Sequence, residues 1–175
     1  LQHPERVRRI ALYDAWVYAE QLPTFFLWSR AAVLGEVLFG LFYDEQPALK
    51  MRAAFYDEEV ITQAFVEEVR AKLDRHGTTA AALAAVRGQR YETYQETYAT
   101  ITAPTLLLWG ADDAVTPMWV GERLDGQLPD SELVTYPRCG HFPMIEAYWD
   151  STRDLTEFLS ADLDAPLDED AAEEA

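Results

Sequence analysis

Two polar segments that each follow an apolar run have the residue types needed for acid–base chemistry. The first is Trp109-Gly-Ala-Asp-Asp113, and the second, further along the chain, is Cys139-Gly-His141. A carboxylate behind an imidazole fixes the ring's tautomer, so the other ring nitrogen can act as a general base. Asp113, in the fourth position of Gly-x-x-Asp, is the predicted acid, and His141 is the predicted base. Asp112 is expected to face solvent or to cap the loop.

Other polar residues give weaker indications of chemistry. Asp14 also ends a predicted strand and is an alternative acid, but a buried, turn-forming aspartate is the favoured interpretation. Cys139 lies two residues before His141; since nearby loop side chains rarely point at each other, a packed thiol is predicted rather than a nucleophile. His3 and His76 show no metal-ligand spacing. We therefore predict neither a metal nor a cofactor.

The elements that would position these residues alternate between strand and helix at both ends of the chain. Short apolar runs predict buried strands at Val7–Asp14, Thr105–Trp109 and Glu132–Tyr136. Helices are predicted over Pro117–Leu128 and Glu146–Leu159. This alternation predicts a parallel sheet with right-handed crossovers. A sheet of only three strands leaves unpaired backbone groups at its edge, so further strands are expected from other polypeptide.

The middle of the chain has a helical pattern. Helices are predicted over Thr24–Phe42, from Pro47, from an Asp57 N-cap to His76, from a Thr78 cap to Gly88, and over Arg90–Ala99. This block is rich in aromatic residues, and Tyr91, Tyr94 and Tyr98 share a predicted helix face. Packing inside the block is the favoured role of these tyrosines. The alternative is an apolar substrate pocket with a phenol that hydrogen-bonds a leaving oxygen.

Together these segments resemble the C-terminal half of an α/β-hydrolase fold protein. The segment Trp109–Asp113 resembles the acid-bearing loop of that family, and Gly140–Pro143 resembles its histidine loop. The stretch His3–Val7 is similar to the turn after the helix behind the nucleophile. In this family the nucleophile comes first in the chain, then the acid, then the histidine.

The resemblance implies an α/β fold class, with the C-terminal part of a mostly parallel α/β-hydrolase sheet and an inserted helical cap. Residues 1–22 and 100–160 would form the core, and residues 23–99 would form the cap. Residues 161–175 are acidic and poor in large apolar groups, which predicts a disordered tail.

The nucleophile motif that the resemblance requires is absent from this sequence. No Gly-x-Ser-x-Gly occurs, and no serine is flanked by glycines; the serines are Ser29, Ser131, Ser151 and Ser160. The chain begins at Leu1 and not at Met, which predicts a cleaved or partial polypeptide. We therefore expect a partner, the N-terminal half of the same hydrolase, present as a second chain or as the other part of a nicked one. The 175 residues alone are expected to be inactive.

The implied function is hydrolysis of a small apolar ester, or of a related substrate such as an epoxide or a haloalkane. The nucleophile would be Ser, Asp or Cys on the partner polypeptide, and some epoxide hydrolases of this superfamily use cap tyrosines. The alternative is a binding protein or subunit of the same fold without catalytic activity. A nucleophile in the partner's strand–turn–helix elbow favours the enzyme, and a Gly or Ala there favours the binding protein.

The charge of the chain limits its partners. The sequence has 31 acidic and 14 basic residues, for a net charge of −17. Such a surface repels nucleic acid and anionic membranes, so neither is a predicted partner. No apolar run reaches the roughly 20 residues that a membrane helix needs, and the N-terminus has no apolar signal core. Since Cys139 is the one cysteine, no internal disulfide forms, which predicts a reducing, cytoplasmic location.

Overall fold

The computed structural model describes residues 3–42 and 46–161, and within them a three-stranded parallel sheet forms the centre. Its strands lie in the order β1 (Ile10–Tyr13), β2 (Thr105–Gly110) and β3 (Ser131–Tyr136). Thr105 pairs with Ile10 on one side and with Ser131 on the other. The three predicted strands are thus confirmed, although β1 is shorter than expected. All six residues of β2 are buried, as expected for a central strand.

Helices follow each strand and also fill the long connection between β1 and β2. In the described residues the α-helices are α1 Thr24–Ser29, α2 Leu34–Phe42, α3 Pro47–Ala54, α4 Gln63–Leu73, α5 Thr78–Gly88, α6 Tyr91–Tyr94, α7 Met118–Asp125, α8 Pro143–Glu146 and α9 Tyr148–Ser160. Within the same residues, no helix is long and apolar enough to cross a bilayer.

Alternate side chains of β2 point to opposite faces of the sheet and define two packed layers. Leu107 and Trp109 pack in one apolar cluster with Val120 of α7. Leu106 and Leu108 lie in a second cluster, on the face covered by α9. The sheet is therefore covered on both faces, as parallel sheets require, and its carboxyl edge is left for the loops that follow each strand.

The segment between β1 and β2 differs from the sequence prediction at several helix boundaries. The predicted helix Thr24–Phe42 is interrupted between α1 and α2, where Ser29 turns inward and its hydroxyl donates to the Phe25 carbonyl. Asp57 accepts a hydrogen bond from the Glu59 amide, but this closes only a 3₁₀ turn. Helix α4 starts instead after Thr62, whose hydroxyl accepts from the Phe65 amide.

Two other helix starts also differ from the predictions. Gly77, with φ of +90°, is the N-cap of α5, and the Thr78 hydroxyl donates backwards to the Arg75 carbonyl. The predicted helix Arg90–Ala99 is only one α-helical turn, α6, followed by a 3₁₀ helix over Gln95–Thr100. In this segment Tyr94 is exposed, whereas Tyr91 and Tyr98 are half-buried.

The helices between β1 and β2 have two separate apolar clusters. Phe39, Leu83 and Val86 form the first, between α2 and α5. Met51, Ala54 and Phe55 form the second, which also includes Val115 and Phe142 from the loops that follow β2 and β3. This second cluster connects the helical block to the site. The assignment of residues 23–99 as a cap domain stays a prediction, and the predicted tail lies outside the described residues from 162 onward.

Candidate active site

The acid and the base predicted from the sequence are in direct contact at the carboxyl edge of the sheet. His141 Nδ1 lies 2.8 Å from Asp113 Oδ2, and the Asp113 side chain is buried. Because an ionised carboxylate only accepts hydrogen bonds, Nδ1 of His141 must carry the proton of this pair. In neutral His141 the Nε2 lone pair is therefore free to accept a proton.

Asp113 is held by its own loop as well as by His141. Its Oδ1 accepts from the amides of Val115 (2.7 Å) and Thr116 (3.1 Å), and Oδ2 also accepts from the Thr116 hydroxyl (2.5 Å). Burial alone would raise the pKa of Asp113, but the hydrogen bonds from His141 and Thr116 hold it below its usual value. Asp113 is thus a turn-forming residue and the partner of His141 at the same time.

The two loops approach so closely that glycine is required at two positions. A Cβ at Gly110 would lie 1.9 Å from the Gly140 carbonyl oxygen, and a Cβ at Gly140 would lie 2.3 Å from the Ala54 carbonyl oxygen. Real Cβ atoms do not approach other heavy atoms this closely. The glycines of the Gly-x-x-Asp and Gly-His segments therefore allow three backbone layers to stack: the acid loop, the histidine loop and the end of α3.

Glu146 clamps the histidine loop to the chain after α3, a role that the sequence did not indicate. Its Oε2 accepts from the Gly140 amide at 2.8 Å, and its Oε1 accepts from the amides of Tyr56 (2.8 Å) and Asp57 (3.0 Å). The amide of His141 donates to the Ala54 carbonyl at 2.6 Å. Two of the three amides that Glu146 binds, those of Tyr56 and Asp57, are about ninety residues upstream, so only the closeness of Glu146 to His141 could have suggested this role.

The His141 ring lies next to one aromatic side chain, which in turn contacts a second. The ring centre lies 5.2 Å from that of Phe142, which is 4.8 Å from that of Phe55. The His141 side chain is 20% exposed, and none of the described residues hydrogen-bonds to Nε2. A proton on an incoming hydroxyl or water can therefore reach Nε2, next to a surface suited to an apolar substrate.

The other polar residues considered from the sequence do not act as reactive groups beside the Asp113–His141 pair. Cys139 is buried, and burial raises the pKa of its thiol to about 12, so the reactive thiolate is scarce. Asp112 is exposed, and its Oδ2 accepts from the Arg138 amide, which caps the loop. His3 is exposed, and its Nδ1 lies 3.2 Å from a carboxylate oxygen of Glu5.

The tyrosines after α5 lie in different environments. Tyr98 donates to the Val17 carbonyl at 2.5 Å, and its ring contacts Tyr18 edge-on in the sheet core. Burial raises the pKa of Tyr98 to about 12. Tyr94 is exposed, and Tyr91 is half-buried. For Tyr98, packing is therefore the role the structure shows.

Asp14 lies behind the acid–histidine pair. Asp14, Asp113 and His141 each offer a ligand atom, and these atoms lie within 4.8 Å of one another. In the described part of the chain, this is the one group of acidic, His or Cys side chains close enough to hold a metal ion. However, His141 Nδ1 and Asp113 Oδ2 already bond to each other. As predicted for a turn-forming aspartate, Asp14 is buried, and its Oδ1 accepts from the Gly110 amide.

Comparison with known proteins identifies the family. The model of the alpha/beta hydrolase family matches residues 2–155. A 2-hydroxy-6-oxononadienedioate/2-hydroxy-6-oxononatrienedioate hydrolase of Cupriavidus pinatubonensis is 33% identical over 113 residues, which are 62% of this chain and 39% of that protein. A pimeloyl acyl-carrier-protein methyl ester esterase of Chromobacterium violaceum is 28% identical over 173 residues, 90% of this chain and 63% of that protein.

A solved structure supports the same fold. The meta-cleavage product hydrolase CumD of Pseudomonas fluorescens IP01, complexed with acetates, superimposes with a TM-score of 0.70 at 19% identity. The match covers 91% of this chain and 58% of that one. The chain thus spans less than two thirds of the length of each of these relatives. The predicted fold class, part of a mostly parallel α/β-hydrolase sheet with helices inserted, is confirmed.

Proposed function

Because this chain belongs to the alpha/beta hydrolase family, we propose that it supplies the acid, the general base and the helical cap of a hydrolase. The observation that carries the proposal is the 2.8 Å contact between His141 Nδ1 and Asp113 Oδ2, with Nε2 left free. Asp113 is the acid, and His141 is the base. A paired carboxylate and imidazole at a strand edge is the arrangement that activates a nucleophile in this fold.

In the proposed mechanism His141 moves protons and Asp113 stabilises the charge that results. Nε2 takes the proton of the water that attacks a covalent ester intermediate, and the ring becomes an imidazolium. The Asp113 carboxylate, held ionised by its hydrogen bonds, faces the Nδ1–H of that imidazolium. In the preceding step the same Nε2 accepts the proton of a hydroxyl or thiol nucleophile and then gives it to the leaving group, so the ring is neutral again when water attacks.

We place the nucleophile on polypeptide outside these 175 residues, paired with the open edge of β1. The amides of Ile10 and Asp14 donate to carbonyls on the β2 side. Since amides alternate in direction along a strand, those of Ala11 and Tyr13 point to the opposite edge, where no strand of the described residues pairs. A parallel strand added there would end beside Asp14, within reach of His141. This partner, the N-terminal half of the hydrolase, remains a proposal.

The substrate we propose is a small molecule with an apolar body, cleaved at a carbonyl carbon. Two relatives are named for the hydrolysis of a 6-oxo compound and of a methyl ester. These names favour a carbonyl substrate over the epoxides and haloalkanes that the sequence also left open. The half-buried ring of Phe142 beside His141 offers the apolar contact. We expect 2-hydroxy-6-oxo dienoic acids first and short-chain esters second.

The test is turnover by the full-length protein with a 2-hydroxy-6-oxo dienoic acid and with p-nitrophenyl butyrate. His141→Ala should lower kcat by at least about 10²–10⁴-fold, the usual contribution of a general base. The matched control is His76→Ala, since His76 is exposed and distant in sequence. Equal loss in both variants, or no loss in His141→Ala, would overturn the assignment. A wild-type protein that binds these compounds without turnover would instead indicate the binding protein.

A further inference from the structure

The carboxyl group of Asp14 is only half hydrogen-bonded, although it is buried beside the proposed catalytic pair. The residue is 2% exposed, and its backbone has a φ of +38°, in the left-handed region that non-glycine residues avoid. Oδ1 accepts from the Gly110 amide at 2.9 Å. Oδ2 is buried and has no hydrogen-bond partner among the described residues. A lone buried carboxylate oxygen is costly, so its chemical state needs an explanation.

The surroundings of Asp14 oppose a negative charge there. Asp113 carries its own negative charge, and the ligand atoms of the two carboxyl groups lie within 4.8 Å of each other. The titratable groups that face Asp14 from the other elements are His141, Cys139 and Glu146. Burial first, and then the charges of Asp113 and Glu146, raise the pKa of Asp14 to about 8, against the lowering effect of the Gly110 amide.

We propose that Asp14 is a positioning residue that stays protonated at neutral pH, with its Oδ2–H donating to the Asp113 carboxylate. The two residues then form a carboxylic acid–carboxylate pair behind His141, in which the unpartnered oxygen of Asp14 becomes a donor toward the neighbouring carboxylate. The contribution to base catalysis rests on the proposed function, whereas the protonated pair rests on the geometry of Asp14 alone.

The Thr116 hydroxyl can free a lone pair of Asp113 for this extra hydrogen bond, because it has a second acceptor. Asp113 Oδ1 accepts from two amides, and Oδ2 accepts from His141 and from Thr116, which fills the lone pairs of the carboxylate. However, the Thr116 hydroxyl has one proton and also lies 3.0 Å from the Asp14 carbonyl oxygen. When Thr116 donates to that carbonyl, one lone pair of Asp113 Oδ2 is open for the Asp14 proton.

The protonation of Asp14 sets the charge behind the imidazole. Below pH 8 one net negative charge, on Asp113, faces His141; above it, ionised Asp14 adds a second one. The second charge lies within 4.8 Å of the ligand nitrogen of His141, so it changes the electrostatic field at the ring. The ring resonances of His141 should therefore show an additional inflection near pH 8, which a structural aspartate with an ordinary pKa would not produce.

Infrared spectroscopy of the full-length protein tests the proposal without turnover. Wild-type protein at pH 6.5 should show the carbonyl stretch of a buried, protonated carboxylic acid, and this band should disappear between pH 7 and pH 9. Asp14→Asn, which keeps an acceptor for Gly110 and a donor toward Asp113, should lack the band and the His141 inflection near pH 8. The matched control Asp112→Asn changes an exposed neighbouring carboxylate and should keep both signals.

Each result decides the proposal. Absence of the protonated band in the wild type, or its persistence in Asp14→Asn, would overturn it. If Asp14→Asn does not fold, the pH titration of the wild-type band still tests the proposal, because the band should disappear between pH 7 and pH 9. A wild-type protein that has the band but hydrolyses no substrate refutes the proposed function and leaves the protonated pair standing. A wild-type protein that hydrolyses substrate but lacks the band refutes the protonated pair and leaves the proposed function standing.

Discussion

The acid and histidine loops and the helices between β1 and β2 are built on different principles. In the loops, polar side chains converge: Asp113 accepts four hydrogen bonds, and Glu146 accepts three. The helices are short and are held by two small apolar clusters and by ion pairs such as Arg87–Glu36. Many large apolar side chains of α2 stay exposed, such as Leu41 and Phe42.

The difference shows where this chain needs accurate geometry. Charge-assisted hydrogen bonds are directional, so the Asp113 and Glu146 networks fix the distance and orientation of His141. Apolar contacts are non-directional and tolerate displacement, which suits the covering role that we propose for these helices. Changes in the polar networks should therefore affect kcat, whereas changes in the apolar cluster of α2 and α5 should affect stability.

Replacing Asp113 should have the largest effect on turnover. Asp113→Ala removes the acceptor of the His141 Nδ1 proton, and loss of the correct tautomer in such a pair costs about 10⁴-fold in kcat. The measurement is steady-state kinetics of the full-length protein. Asp112→Ala is the control, because that side chain is exposed. Similar kcat values for the two variants would show that the carboxylate of Asp113 does not serve His141.

Filling the space at Gly140 should have the next largest effect. Gly140→Ala puts a Cβ 2.3 Å from the Ala54 carbonyl oxygen, so the histidine loop must move. Displacement of a catalytic group by about 1 Å costs on the order of 10²-fold in rate, and overpacking lowers the free energy of unfolding by about 1–3 kcal/mol. Gly88→Ala, whose Cβ meets nothing within 4 Å, is the control for kcat and for thermal unfolding. An active, stable Gly140→Ala variant would contradict the stacked loops.

Removing the Glu146 clamp should reduce kcat by a smaller factor, about tenfold, because the His141 amide stays bonded to Ala54. Glu146→Ala leaves three backbone amides without their acceptor, which should lower the free energy of unfolding by about 1–3 kcal/mol. The control Glu58→Ala removes an exposed carboxylate from the neighbouring turn. If both variants keep wild-type kcat and stability, the clamp does not position the histidine loop.

Truncating the apolar cluster of α2 and α5 should change kcat least. Phe39 is buried against Leu83 and Val86, so Phe39→Ala should lower the free energy of unfolding by about 3–5 kcal/mol. Its kcat below the melting temperature should stay within a fewfold of wild type. Phe42→Ala, at an exposed position of the same helix, is the control. If Phe39→Ala lost as much kcat as Asp113→Ala, the polar loops and the apolar cluster would not differ in their effect on catalysis.

The strands were predictable from local spacing, and the pairing of Asp113 with His141 was predictable because their loops resemble the acid and histidine loops of the family. A short apolar run marks each strand, and the parallel topology brings the strand ends to one edge, so Gly-x-x-Asp and Gly-His must come close. The catalytic roles of both residues stay predictions that the kinetics must test.

The helix boundaries and the Glu146 clamp were not predictable because distant contacts decide them. An N-cap residue type such as Asp57 predicts a helix. In the structure, however, Glu146 binds the amides of Tyr56 and Asp57 and helps hold that segment outside a helix. Likewise, the Arg87 side chain of α5 donates a hydrogen bond to the Ala31 carbonyl, in the break that divides the predicted helix into α1 and α2. In both cases a tertiary contact outweighs local propensity.

The most direct test of the account is the Nδ1 proton of His141, observed by proton NMR of the full-length protein at neutral pH. If Asp113 accepts this proton at 2.8 Å, the wild type should show a strongly downfield imidazole N–H resonance that is lost in Asp113→Ala and retained in Asp112→Ala. The same resonance in Asp113→Ala, or none in the wild type, would contradict the contact on which the proposed function depends.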